Sequence, residues 1–253
     1  MLTEERQAII LQNIKEKGSM TVAELSDLLH ISESTVRRDL SAMDSEGLIN
    51  KVHGGATARI GNLFSTRESE IGMKRTQFQQ EKAAIGKKAA SLIEPDDFVY
   101  IDAGSTTEAL ARAIVGQPKT EAIYVTNGLI QAEILLHNGC TVYVLEGRLR
   151  SETEAIVGSG AINSLKKYQF TIGFFGTNGI DYNLGYTTPD IEESEVKRDA
   201  FSRCLKTYVL ADNSKFNHIT PVTFGNLSDA VIITNQLTDK RYKQRVKILE
   251  ADT

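Results

Sequence analysis

Six short apolar runs between Phe98 and Thr234, with helical patterns between most of them, constrain this chain more than any other feature. They are Phe98–Ile101, Ala122–Thr126, Thr141–Leu145, Phe170–Phe175, Thr207–Ala211 and Ala230–Thr234. Helical periodicity fills Glu81–Leu92 ahead of them and Thr107–Val115, Leu129–His137 and Glu192–Cys204 between them. Such alternation predicts an α/β fold, a mostly parallel sheet covered by helices on both faces. A chain of 253 residues is long enough to bury that core and carry a smaller second domain. Apolar runs such as Ala230–Ile233 fall far short of the ~20 residues a membrane helix needs, so no membrane partner is expected. The opening Thr3-Glu4-Glu5-Arg6 lacks the basic start and apolar stretch of a leader peptide, and the expected location is the cytoplasm. Cys140 and Cys204 stand 64 positions apart in apolar surroundings and read as two buried thiols. The four histidines show no metal-ligand spacing, so neither a metal nor a cofactor is expected.

The first fifty-six residues follow a different rule. Thr3–Lys17 is amphipathic and stops at Gly18. Thr21 and Glu24 have the spacing of a capping box, and Val22, Leu25, Leu28 and Leu29 then repeat at helical intervals. His30-Ile31 makes a short turn before Ser32 caps a third helix. Three helices in this space, the last two separated by a tight turn, predict a helix-turn-helix. On the third helix Val36, Leu40 and Met43 share one sector, while Ser34, Arg37, Arg38 and Ser41 share another, about 140° away. The second face carries two arginines between hydroxyls, groups that reach guanine edges and phosphates. Beyond Gly47, the run Leu48 to Ala56 alternates and contains Gly54-Gly55, the pattern of a wing hairpin that brings Lys51 and His53 toward a phosphate backbone. Residues 1–56 hold six basic and nine acidic residues, a balance of −3, and the whole chain carries −4. Any DNA contact must therefore rest on a local basic face, which argues against a general nucleic-acid coat protein.

Residues 57–80 show little periodicity and are expected to be a linker, with the second domain spanning 81–253. Ligands of parallel sheets bind beyond the carboxyl ends of the strands. There the sequence places Asp102-Ala103-Gly104-Ser105-Thr106-Thr107, a strand–glycine–hydroxyl–helix turn suited to an anion. Other strands end in Thr126-Asn127-Gly128, Glu146-Gly147-Arg148, Gly176-Thr177-Asn178-Gly179 and Asp212-Asn213-Ser214-Lys215. Each alone could be an ordinary turn. Together they must share one edge, and one anion cradle, one lysine and several polar side chains suit a phosphorylated sugar.

The stretch Ser32-Glu33-Ser34-Thr35-Val36-Arg37-Arg38-Asp39-Leu40, with Val52-His53-Gly54-Gly55-Ala56 after it, resembles the DNA-binding signature of the DeoR family of bacterial repressors. The strand ends resemble that family's effector domain, with its pattern D-x-G-[ST]-T, then T-N, then G-G-x-x-R, then D-x-S-K-[FY]. The resemblance covers almost the whole chain. It implies a winged helix followed by a domain akin to ribose-5-phosphate isomerase and glucosamine-6-phosphate deaminase. It also implies Ser32, Ser34, Thr35, Arg37, Arg38, Ser41, Lys51 and His53 at double-stranded operator DNA. At the effector it implies Asp102, Gly104, Ser105, Thr106, Thr107, Asn127, Asp212 and Lys215, to which the strand ends add Gly147, Arg148, Gly176, Asn178 and Gly179. Glu146 and the pair Thr177-Asn178 depart from the family pattern. The opening residues look most like those of fructose-operon repressors, which makes fructose 1-phosphate the expected effector. A homo-oligomer, dimer or tetramer, follows from reading paired half-sites. Two other readings stand beside this one. The first is a sugar-phosphate isomerase or deaminase using Asp102 and Asp212 as acid and base. The second is a constitutive DNA binder with an inert second domain.

Overall fold

In the computed structural model, residues 3–17, 19–46, 48–58, 70–114, 121–237 and 239–251 are described. Gly18, Gly47 and residues 59–69 of the expected linker lie outside them. Three helices, α1 (Thr3–Lys17), α2 (Val22–Leu29) and α3 (Glu33–Ser45), pack on a small antiparallel sheet of β1 (Ser19–Thr21), β2 (Ile49–Val52) and β3 (Gly55–Ala58) in the order β1-β3-β2. The capping box forms as expected: Thr21 Oγ1 accepts from the Glu24 N–H (3.2 Å) and Glu24 Oε2 from the Thr21 N–H (2.8 Å). His30, at a φ of 52°, reverses the chain between α2 and α3. Ile10, Ile14, Leu25, Val36, Leu40, Met43 and Ile49 close one core, each fully buried. Burying each such side chain contributes about 1.5–3 kcal/mol. Leu28, counted with the inner face by its spacing, is 45% exposed, because α2 is short and only Val22, Leu25 and Leu29 reach the core.

Two features of this unit escape periodicity. Strand β1 is only three residues long and forms because β3 offers it a free edge; Gly55 permits this, since a Cβ there would lie 2.3 Å from Met20 O. Asp39 sits on the buried side of α3, where Arg6 of α1 meets it with two hydrogen bonds (2.5 and 2.9 Å). Strand β3 runs to Ala58, two residues beyond the expected boundary at 56.

The larger unit is built on a seven-stranded sheet in which every neighbouring pair is parallel. Its strands are β4 (Phe98–Ile101), β5 (Ile123–Thr126), β6 (Thr141–Val144), β9 (Phe170–Gly176), β12 (Cys204–Leu210), β14 (Val231–Thr234) and β15 (Ile248–Glu250), in the order β15-β14-β12-β9-β4-β5-β6. All six expected strands are present. The seventh, β15, carries only three residues and no alternation to signal it. Ile85, Ile101, Leu110, Tyr124, Leu135 and Phe174 pack on one face under α5 (Gln79–Ala90), α6 (Ser105–Ile114) and α7 (Leu129–His137). Tyr100, Val125, Phe175, Val196, Phe201 and Val209 pack on the other, under α9 (Ile191–Phe201) and α8 (Ser159–Leu165). Two pieces were not anticipated: a hairpin of β7 (Arg148–Leu149) and β8 (Ile156–Val157), and a second antiparallel sheet of β10 (Gly179–Asp181), β11 (Gly185–Thr188) and β13 (Val222–Gly225). Cys140 and Cys204 are free thiols, and burial pushes Cys204 up to about 12.

The expected linker is shorter than its composition suggests. Helix α4 (Ile71–Thr76) is packed on the large unit: Ile71 is buried and donates its N–H to Glu152 O (2.9 Å). Arg75 reaches Glu108 (2.6 Å) and Glu154 (2.7 Å). Ion pairs rather than an apolar stripe hold this helix, so no periodicity betrays it.

Candidate functional site

The strand order reverses between β4 and β9. From β4 the chain crosses to β5 through α6 on one face, and from β9 it crosses to β12 through α9 on the other. A crevice must open where the two crossovers diverge, at the carboxyl ends of β4 and β9. A pocket is found there, lined by Ala103, Gly104, Ser105 and Thr106 after β4, and by Gly176, Thr177 and Asn178 at the end of β9. Gly104 adopts a φ of +152°, a conformation that favours glycine. The first bond of α6 runs from the Glu108 N–H to Gly104 O (2.9 Å), so the preceding amides have no partner in the helix's own ladder. Four lysines line the same pocket: Lys74, Lys82, Lys197 and Lys215. Of the acids, Glu193 is occupied by Arg150 (3.1 Å) and by the Thr153 hydroxyl (2.5 Å). The pocket is a cationic, amide-rich cradle, the chemistry that holds a phosphate.

A buried ion pair fixes its floor. Asp102 and Lys197 are 1% and 5% exposed and in direct contact. Asp102 Oδ2 also accepts from the Gly176 N–H (3.0 Å), and Lys197 donates to Gly176 O (3.2 Å), so the pair fastens the ends of β4 and β9 together. Burial raises the Asp102 carboxyl above its ordinary range, with Lys197 and the Gly176 amide pulling the other way.

At the other end of the chain, Ser32, Ser34, Arg37, Arg38 and Ser41 are exposed on α3, and Thr35 is half-buried. Ser32 Oγ accepts from the Thr35 N–H (3.4 Å) and lies 2.9 Å from both the Ser34 and Thr35 hydroxyls, so Ser32 and Thr35 are occupied in starting the helix. Arg37 pairs with Glu33 (2.6 Å) in an exposed contact of the kind worth little. Ser41 donates to Arg37 O (2.7 Å) and accepts from Lys51 Nζ (2.7 Å), which sets strand β2 beside the arginine face. His53 is exposed at the wing tip, next to Gly54 at a φ of +84°.

Comparison with known proteins agrees with both halves. Residues 6–59 match the DeoR-like helix-turn-helix domain, and residues 77–236 match the DeoR C terminal sensor domain. The chain belongs to the DeoR family. A Bacillus subtilis protein named as the uncharacterized HTH-type transcriptional regulator FruR is 36% identical over 98% of each chain. The lactose phosphotransferase system repressor of Streptococcus mutans is 32% identical over 99% of each. A ribose 5-phosphate isomerase from Methanocaldococcus jannaschii aligns over 55% of this chain and 54% of its own at 13% identity, with a TM-score of 0.42, a likeness too slight to bear on chemistry. With relatives named as regulators and a DNA-binding domain in place, this DeoR-family chain is a transcriptional regulator and not an enzyme.

Within that family pattern the structure separates residues that line the pocket from residues that hold it up. Gly104, Ser105, Thr106, Gly176, Asn178 and Lys215 line it; Asp102, Thr107, Asn127, Gly147, Arg148, Gly179 and Asp212 do not. Thr107 is fully buried, donates to Gly104 O (2.9 Å) and accepts from Gln131 (3.2 Å). Asn127 is buried and receives the Ala103 N–H (2.9 Å) and the Tyr100 hydroxyl (3.2 Å) on Oδ1. Asp212 caps the short turn Asn213–Lys215 through the Ser214 N–H (3.0 Å), which aims Lys215 at the pocket. Gly147 and Gly179 serve backbone packing, since a Cβ on either would lie within 2.5 Å of a carbonyl. Arg148 is turned outward to Glu192. Of the departures from the family pattern, Glu146 is on the surface with Lys167 (3.0 Å), whereas Thr177-Asn178 line the pocket. Sequence reasoning missed Lys197, Lys82, Lys74 and Glu193. One signal was available for two of them: Glu193 and Lys197 share the inner stripe of α9 with Ala200, where charged residues are rare.

Proposed function

We propose that this chain is a repressor whose hold on operator DNA is released by a phosphorylated sugar seated between residues 103–106 and 176–178, with fructose 1-phosphate as the first ligand to test. The observation that carries the reading is the placing of four lysines and a helix N-terminus at the switch point of the sheet. A constitutive DNA binder would need no such cradle. An isomerase would need a free carboxylate in the pocket to move protons, yet Glu193, the acid in its lining, is held by Arg150 and Thr153, while Asp102 is bound to Lys197 and Asp212 to a turn. Among the described residues no helix is long and apolar enough to cross a membrane and no metal-ligating cluster occurs. The DNA-reading residues are Ser34, Arg37, Arg38, Lys51 and His53, used by a homo-oligomer on paired half-sites about 10 base pairs or a multiple apart. The working units run to Ala58 and from residue 70 onward.

A thermal-shift screen over sugar phosphates and the matching free sugars tests this reading. A ligand at 100 times its Kd should stabilise the fold by about 2.7 kcal/mol. If fructose stabilises the protein as well as fructose 1-phosphate does, the cradle does not bind phosphate.

A further inference from the structure

Segment 70–78 is at once one wall of the pocket and the part of the large unit that the chain enters on leaving the winged helix. Its helix, α4, is only six residues long, so its last carbonyls depend on side chains from outside. Thr76 Oγ1 donates to Met73 O (2.9 Å), Gln79 Nε2 to Arg75 O (3.2 Å), and Lys82 supplies the rest. This buried ammonium, 6% exposed, donates to Lys74 O and to Gln77 O (2.8 Å). Among the described residues no carboxylate stands within ion-pair distance of it. Burial pushes its ammonium below the ordinary value; Asp212 gives the strongest opposing pull, Lys215 and Lys74 push further down, and Glu108 pulls up. Between α4 and α5, Phe78 holds a φ of 53°, an unfavourable conformation for a bulky residue, with no side-chain cap on α5. The joint is thus strained, and a buried cation with no ion-pair partner among the described residues helps to secure it.

That same ammonium lines the cradle. A phosphate there is a stronger acceptor than two neutral carbonyls, because its hydrogen bonds to an ammonium are charge-assisted. We propose, resting on the reading of the pocket as a phosphate site, that Lys82 is a latch: an anion on the cradle draws it from Lys74 O and Gln77 O and so frees residues 74–78. Arg75 keeps the middle of α4 tied to Glu108 and Glu154, which confines the release to its C-terminal turn and the Phe78 joint. Effector binding and the path of the chain toward the winged helix then compete for one side chain, which gives the differential affinity that any such coupling requires.

Hydrogen–deuterium exchange on the full chain, with inorganic phosphate and with fructose 1-phosphate as probes, tests the latch. In the wild type the anion should slow exchange at Ser105–Glu108 and speed it at residues 74–79. Lys82→Met should exchange roughly tenfold faster at 74–79 without any anion, as expected for a lost hydrogen bond from a charged donor. Lys82→Gln, which keeps an N–H donor without the charge, should bind the anion more weakly and, at anion concentrations that still protect Ser105–Glu108, should show no response at 74–79. Protection of the cradle with 74–79 unmoved or slowed overturns the latch alone. A cradle that no probe protects overturns the pocket reading and the latch with it. Wild-type exchange at 74–79 in Lys82→Met would show that Lys82 does not hold the helix.

Discussion

The two ends of this molecule were built to be read in different ways. On α3 the groups that face outward are set by the 100° step of a single helix, so Arg37, Arg38 and Ser41 can be placed from spacing alone, and they are exposed where spacing puts them. In the pocket the lining comes from six separate stretches of chain, and a motif residue can belong to the site without facing it. Asp102, Thr107, Asn127 and Asp212 are the clearest cases: all are buried and each uses a polar atom to position a neighbour, although Asp102 Oδ1 and Asp212 Oδ2 find no partner among the described residues. A motif in a helix face reports contact, whereas a motif at a sheet edge reports scaffold as readily as contact.

The largest expected effect tests the scaffold. Lys197→Met leaves the Asp102 charge buried without its partner, a loss of about 3–5 kcal/mol in urea unfolding. The sign of its pH dependence follows from the raised Asp102 carboxyl. A group whose folded pKa lies above its unfolded value binds more protons when folded, so it favours folding at low pH and opposes it as pH rises. The deficit of Lys197→Met relative to wild type should therefore shrink as pH is lowered from 8 toward 5. A deficit that grows on acidification would mean that Asp102 is not the group left exposed to the loss.

The next effect tests contact. Lys215→Ala should leave the fold and the operator affinity intact, because the winged helix closes on its own core of Val22, Leu25, Val36 and Leu40. Loss of one charged hydrogen bond of about 1.5–3 kcal/mol should weaken sugar-phosphate binding ten- to a hundredfold, and the variant should stay on its operator at effector levels that release the wild type. Release at the wild-type concentration would make Lys215 a bystander. Asn127→Ala sharpens the contrast: it should lower thermal stability as well as effector affinity, since the Ala103 amide and the Tyr100 hydroxyl both lose their acceptor.

How much of this was legible follows the same division. Six strands and four helices of the large unit declared themselves through period and turn chemistry, as did the capping box of Thr21 and Glu24. Strands β1 and β15 did not, being three residues long and held by the edge of a neighbour. Helix α4 hid because charges hold it: Arg75 finds acids 33 and 79 positions away, separations that no local pattern reports. Lys82 was invisible for the opposite reason. A lysine on a helix is most often a surface residue, and only the fold shows that this one points inward.

Smaller effects divide the proposed DNA-reading face itself. Arg38→Ala should cost about 1–3 kcal/mol of operator binding and relax preference at the base pair it touches. Arg37→Ala should do the same, with Glu33 no obstacle because their exposed pair is weak. Unchanged affinity in both would remove α3 from the DNA.

Lys51 is the finest test, because it sits on the wing and not on the helix. Its backbone N–H is held by Asp44 (3.0 Å) and its ammonium by Ser41 (2.7 Å), so the side chain is already aimed along the arginine face before any DNA arrives. A lysine offers a point charge without a bidentate fork, which suits a phosphate better than a base edge. Lys51→Ala should then weaken binding to operator and to unrelated duplex by similar factors. It should also lower the slope of log affinity against log salt by about 0.9, the counterions released by one phosphate contact. Arg38→Ala should change specificity and leave more of that slope in place. If Lys51→Ala alters sequence preference while the salt slope stays fixed, the wing reads bases, and the division between a specifying helix and a positioning wing is wrong.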